Sequence, residues 1–149
     1  MRRFWADVTE PILRSKDFSR VVEIGSQSGE STLRLLELCA EIGAHAHIID
    51  PVPPKNQEAL EPLLAGHGTL HIARSLDVLG EVPVADAYLI DGDHNYYTVR
   101  NELFTIARRV EETNSALPLI LMHDVGWPYG RRDQYYTPES VPEEERRPF

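Results

Sequence analysis

Asp91-Gly92-Asp93-His94 and His123-Asp124 bring carboxylates and imidazoles to two points of this 149-residue chain. Each group follows a short apolar run, Tyr88-Leu89-Ile90 in one case and Leu121-Met122 in the other. Two carboxylates and an imidazole from separate strand ends can form an octahedral site for a hard or borderline divalent cation (magnesium, manganese or zinc), with water or substrate oxygens filling the remaining positions. Asp91, His123 and Asp124 are read as the ligands. Asp93 or His94 is then left to take a proton from a substrate hydroxyl, since a base cannot also be tied up on the ion. The same residues have a plainer reading, in which the Asp-Gly-Asp-His turn caps the helix after it and the His-Asp pair hydrogen-bonds.

A second group lies earlier, in Glu23-Ile24-Gly25-Ser26-Gln27-Ser28-Gly29-Glu30-Ser31. Gly25 and Gly29 let the backbone turn tightly and approach a ligand, and Ser31 opens a helix whose amides point into the site. The spacing G-x-x-x-G lacks the G-x-G-x-x-G that seats a pyrophosphate, which disfavours an NAD-linked oxidoreductase. Asp50, after Ile48-Ile49, stands about twenty residues past the turn, where a carboxylate can accept from both hydroxyls of a ribose.

Five short apolar or mixed runs, at residues 21–24, 46–49, 69–72, 87–90 and 119–122, read as buried parallel strands, the third being the weakest because it holds His71. Helical patterns lie between them. Residues 31–42 repeat Leu35, Leu36, Leu38, Cys39 and Ile42 at helical spacing, and residues 95–110 do so with Val99, Leu103, Phe104, Ile106, Ala107 and Val110, behind Asn95 as a cap. Residues 55–65 are helical despite Pro62, ended by Gly66 and Gly68, and residues 4–13 form a leading helix. Such alternation predicts an α/β, Rossmann-like, doubly wound parallel sheet. Its predicted strand order is 3-2-1-4-5, in which the first strand is central and both chemical groups meet at the carboxyl ends.

Residues 1–125 make the predicted domain. From residue 126 to 149 the chain carries Pro128, Pro138, Pro142 and Pro148 with few aliphatics, and reads as a lid or tail. No alternating strand pattern follows the fifth run, so its open edge is expected to be covered by the tail or by a second copy, as a homodimer. Lys and Arg number 15 against 24 Asp and Glu, a net charge of −9. That balance argues against nucleic-acid and membrane partners and for a small-molecule substrate. The single cysteine, Cys39, together with the lack of a long apolar run, reads as cytoplasmic.

Residues 23–32 with Asp50 resemble the S-adenosylmethionine site of class I methyltransferases, and Asp91-Gly92-Asp93-His94-Asn95-Tyr96 with His123-Asp124-Val125 resembles a subgroup of small-molecule and sugar O-methyltransferases. The resemblance spans about residues 21–133. It implies an S-adenosylmethionine-dependent O-methyltransferase acting on a small hydroxylated molecule. Gly25, Ser26, Gly29 and Ser31 would then border the cofactor, Glu23 would sit beneath it, Asp50 would hold its ribose, Ser75 would lie near the adenine, and Asp91 would flank it. His123 stands where the metal-dependent relatives usually have an acid. Those relatives also end in a hairpin of sixth and seventh strands, so the alternative reading is a truncated or degenerate cofactor-binding domain working through a partner.

Overall fold

In the structure, a computed structural model, residues 2–125 and 138–146 are described. The N-terminus makes a 3-10 turn (Arg2–Phe4) and one wide π turn (Trp5–Thr9) before α1 (Glu10–Arg14). There follow β1 (Arg20–Ile24), α2 (Glu30–Ile42), β2 (His45–Asp50), α3 (Gln57–His67), β3 (Gly68–Ile72), α4 (Ser75–Val78), β4 (Ala87–Ile90), α5 (Tyr96–Thr113) and β5 (Leu119–Met122). All strand pairs are parallel and the order is β3-β2-β1-β4-β5, as the sequence predicts. No described helix is long and apolar enough to cross a membrane.

Because side chains alternate along a strand, each strand feeds two cores. Val21, Ala46, Ile48, Ala87 and Leu89 face one side, against Leu13, Leu35, Leu36 and Leu60. Val22, Ile24, Ile49, Tyr88 and Ile90 face the other, against Leu79, Ile106 and Val110. Val21 and Val22 are fully buried, as a central strand requires. At the foot of the sheet, Asp86 ties β1 to β4, its Oδ2 accepting from the amides of Ser19 (2.8 Å) and Arg20 (3.0 Å).

Several boundaries differ from the sequence reading for identifiable reasons. Helix α3 runs through Gly66 to His67, with Gly68 as its cap, so one glycine in a helix was not a stop. The short α4 was not anticipated, since four residues carry too little periodicity to register. In α5 the buried stripe is Thr98, Glu102, Ile106 and Val110. Phe104 is 60% exposed, with the Arg100 guanidinium 5.3 Å from its ring centre. Ile42 is likewise exposed at the end of α2. Asn95 does cap α5, its Oδ1 accepting from the Thr98 amide at 2.8 Å.

Among the described residues no strand lies beyond β5, whose residues are all half-buried. Leu119 and Leu121 meet one core, Ile120 and Met122 the other. Most of the expected lid, including Trp127, Tyr129, Tyr135 and Tyr136, falls outside the described residues. The described tail is held at α5 by Glu145, 3.1 Å from Arg100, and it buries Val141.

Ile48 is fully buried between β1, β3 and the helices, so Ile48→Ala should lower stability by about 2–5 kcal/mol. Leu117→Ala, at a side chain 89% exposed, should change it by no more than about 0.5 kcal/mol. Urea denaturation of the two variants beside the parent chain measures both.

Candidate active site

The turn from β1 to α2 is built by contacts that leave no room for a Cβ. Gly25 has φ +92°, and a methyl there would lie 2.4 Å from the Asp91 carbonyl oxygen and 2.7 Å from the Gly92 Cα. Gly29 has φ +79°, and its Cβ would fall 1.8 Å from Asn56 Oδ1. The turn is thus pressed between the β4 corner and the loop after β2.

Asp50 at the end of β2 organises that turn. Its Oδ2 accepts from the Ser26 amide (2.7 Å), the Ser26 hydroxyl (3.0 Å) and the Gln27 amide (3.1 Å), while Oδ1 accepts from the Val52 amide (2.9 Å). Three donors on one oxygen hold Gln27 at φ +47°, a backbone that a non-glycine residue adopts only when its surroundings fix it. Oδ1, with one of these donors, keeps acceptor capacity for a ligand hydroxyl.

Glu23 is buried beneath this turn and accepts from the Thr32 hydroxyl at 2.6 Å. Burial pushes its carboxyl up to about 7 against that hydrogen bond, with Asp91 and Asp50 adding repulsion. Ser31 lies in the first turn of α2. Ser75 opens α4, and its hydroxyl is turned to Glu102 Oε1 at 2.5 Å. Glu102 is fully buried, its Oε2 has no hydrogen-bond partner among the described residues, and burial raises it too to about 7.

Asn56 and Glu102 were missed by the sequence reading. Asn56 falls inside the helix expected over residues 55–65 but stands at the N-cap of α3, where it donates to the Gly29 carbonyl at 3.1 Å while its buried Oδ1 has no hydrogen-bond partner among the described residues. Glu102 did leave a signal: it lies four residues from Thr98 and four from Ile106, on the stripe that α5 buries.

At the rim of β4 and β5, four predicted residues meet. His123 Nδ1 is 3.0 Å from Asp91 Oδ1 and 3.1 Å from Asp124 Oδ1. His94 Nε2 is 3.8 Å from Asp91 Oδ1 and 3.8 Å from Asp124 Oδ2. Asp91, His94 and His123 offer ligand atoms all within 4.8 Å of one another, so His94 joins the cluster rather than standing clear of it. His123 Nδ1 is buried yet has no aligned hydrogen-bond partner among the described residues, although two carboxylate oxygens stand close by. Neighbouring ligand atoms around an octahedral ion are about 2.8–3.0 Å apart when each bond is about 2.0–2.1 Å, so the short contacts fit a small divalent ion.

Asp93 is placed differently. It lies half-buried beside Asn95 and Thr98 at the start of α5, where burial raises its carboxyl against hydrogen bonding from those two residues. The cap of α5 is Asn95 rather than a residue of the Asp-Gly-Asp-His turn, and Asp93 is not among the clustered ligand atoms, which leaves His94 as the base candidate there.

Comparison with known proteins agrees with this architecture. A family model described as a methyltransferase domain matches residues 22–125. No curated protein matches the chain. A methyltransferase of Podospora anserina, solved with SAH bound, superposes with TM-score 0.62 at 21% identity, over 76% of this chain and 49% of that one. The N-methyltransferase NodS of Bradyrhizobium japonicum WM9 gives 0.54 at 18%, over 72% and 61%. An O-methyltransferase family protein of Burkholderia thailandensis gives 0.50 at 14%, over 85% and 46%. At such identities the likeness is one of fold, and the chain spans roughly half to three-fifths of the length of these proteins.

Glu23 and Glu102 set a pH dependence whose sign follows from their direction of shift. Each is raised from 4.5 to about 7 in the folded chain, so the folded state holds protons that the unfolded state releases first. Their stabilising contribution is complete below pH 4.5 and is lost as pH rises through 7. Glu102→Gln should reduce the fall in stability across that window by about 3 kcal/mol, measured by urea melts at a series of pH values.

Proposed function

This chain belongs to the methyltransferase-domain family, and on that premise we propose that it binds S-adenosylmethionine over the β1–α2 turn and transfers the methyl group to a hydroxyl of a small molecule. The observation that carries this is the contact between the two halves of the site. Gly25 packs so closely on Asp91 and Gly92 that the turn and the acid-imidazole cluster share one wall. A methyl donor seated on the first stands next to a nucleophile held at the second.

Asp50 Oδ1 is the acceptor for the ribose hydroxyls, and the glycines let the methionine part of the cofactor lie against bare backbone. Ser75, with its hydroxyl committed to Glu102, borders the adenine as a buried wall. Methyl transfer forms an oxygen–carbon bond as the carbon–sulfur bond breaks, and the hydroxyl proton must leave. His94 Nε2, 3.8 Å from Asp91 Oδ1 and 3.8 Å from Asp124 Oδ2, is placed to receive it. Asp91 and His123, with His94 or Asp124, are the residues that would hold a divalent ion, and such an ion supplies acidification and orientation of the acceptor hydroxyl. If all of them hold it, the proton passes to solvent. The SAH-bound Podospora neighbour supports the choice of cofactor, and the partly exposed, polar rim supports a small hydroxylated acceptor. A second copy pairing along β5 remains the proposed partner at the open edge.

Calorimetric titration with S-adenosylhomocysteine should show one site, and Asp50→Asn should weaken it more than tenfold, about 1.5–3 kcal/mol. Absence of binding to the parent chain overturns the reading, whereas equal affinity in the variant overturns only the ribose assignment. Binding without transfer to any member of a hydroxylated panel favours a cofactor-binding domain that needs a partner. Chelation should abolish turnover and re-addition of magnesium, manganese or zinc should restore it. Full turnover after verified metal removal leaves His94 as a simple base.

A further inference from the structure

The methyl-transfer reading makes no use of the row of imidazoles on β2 and β3. His45 and His47 are two apart on β2, so both point to the same face, away from α2 and α3. His71 stands on the same face of the neighbouring edge strand β3. His47 Nδ1 is 3.2 Å from His71 Nε2, and the two ring centres are 5.4 Å apart. The His45 ring lies 5.0 Å from that of His47, with its Nε2 2.9 Å from the Thr69 hydroxyl. His47 is only 8% exposed, while His45 and His71 are half-buried and Thr69 is exposed, so the row opens to solvent at β3.

We propose that His47 Nδ1 and His71 Nε2 chelate a borderline divalent cation, copper(II), nickel or zinc, with His45 alongside at the rim. Two neighbouring nitrogens on one ion at about 2.0–2.1 Å are about 2.9 Å apart in a square-planar arrangement and about 3.3 Å in a tetrahedral one, so the pair stands within a few tenths of an ångström of either. In the cation-free chain one ring donates its N–H to the other. Binding requires that the donor move its proton to its own second nitrogen, after which both facing nitrogens carry lone pairs and each ring still holds one proton. No net proton is released, because both rings are neutral beforehand. Burial lowers His47 to about 4, helped by His45, His71 and Arg20, and burial also lowers His71. Arg20, in register with His45, is a cation beside the row, and its guanidinium is turned to the Val84 carbonyl at 2.7 Å. Two imidazoles favour copper over zinc and nickel, and they do not favour magnesium or calcium.

This site is separate from the Asp91 cluster and does not rest on the methyltransferase reading, so the test silences that cluster first. The full chain carrying His123→Ala is titrated calorimetrically with copper, nickel and zinc chlorides in turn, and the titrations are repeated with His71→Ala added. One copper site is expected in the first, at least tenfold weaker in the second, with zinc and nickel binding less tightly than copper. Because His71→Ala alters an edge strand, imidazole nitrogen NMR of the chain with His71 intact is read during a zinc titration. His47 Nδ1 and His71 Nε2 should both shift to metal-bound values together. No copper binding in the His123→Ala chain, unchanged affinity on adding His71→Ala, or unmoved nitrogens each overturn the proposal.

Discussion

One carboxylate underlies the arrangement of the whole upper rim. Asp50 takes three hydrogen bonds on a single oxygen from Ser26 and Gln27, and so fixes the chain as it leaves β1. With that turn fixed, Gly25 can rest on the Asp91 carbonyl and Gly29 on Asn56, contacts that any side chain would forbid. The distance between the two chemical groups of the rim is therefore set by backbone packing. Loosening Asp50 would disturb the cluster on β4 and β5 although it touches none of those residues.

The fold tolerates two protonated or costly carboxyls to achieve this. Glu23 under the turn and Glu102 in α5 are each nearly without solvent, and each has one hydroxyl as its named partner, Thr32 and Ser75 respectively. An apolar residue of similar volume would pack at lower cost in either place. Both sit directly behind residues that border the proposed cofactor, a position consistent with carboxyls kept for positioning rather than for stability.

The sheet was legible because its strands are short, mostly apolar and separated by helical patterns, and their order follows from that alternation. The site was legible where glycine and acid follow a strand, as with Gly25, Gly29, Asp50 and Asp91. It was not legible where a role depends on which way a side chain turns. Asp93 and His94 are adjacent and interchangeable as bases in the sequence, yet one is half-buried beside the Asn95 cap of α5 and the other faces the rim. Phe104 was assigned to a core because it is apolar, but the helix is phased by Thr98 and Glu102, which hydrogen-bond inside. The imidazole row follows from cross-strand register, which no local spacing reveals.

The topology also orders events in time. β1 pairs with β2 at a separation of 25 residues, Val21 opposite Ala46, but with β4 at 66, Val21 opposite Ala87. Closing the longer loop costs more chain entropy before any contact repays it, so the β1–α2–β2 unit can assemble first and the β4 side must dock onto it later. Until it docks, Val22 and Ile24 lie bare on a strand paired along one edge only, and the clasp from Ser19 and Arg20 to Asp86, 66 to 67 residues apart in sequence, is the lock that closes the central seam. The centre of the finished sheet is thus the last part of it to be zipped, and the stage before that is when the chain is most open to going astray.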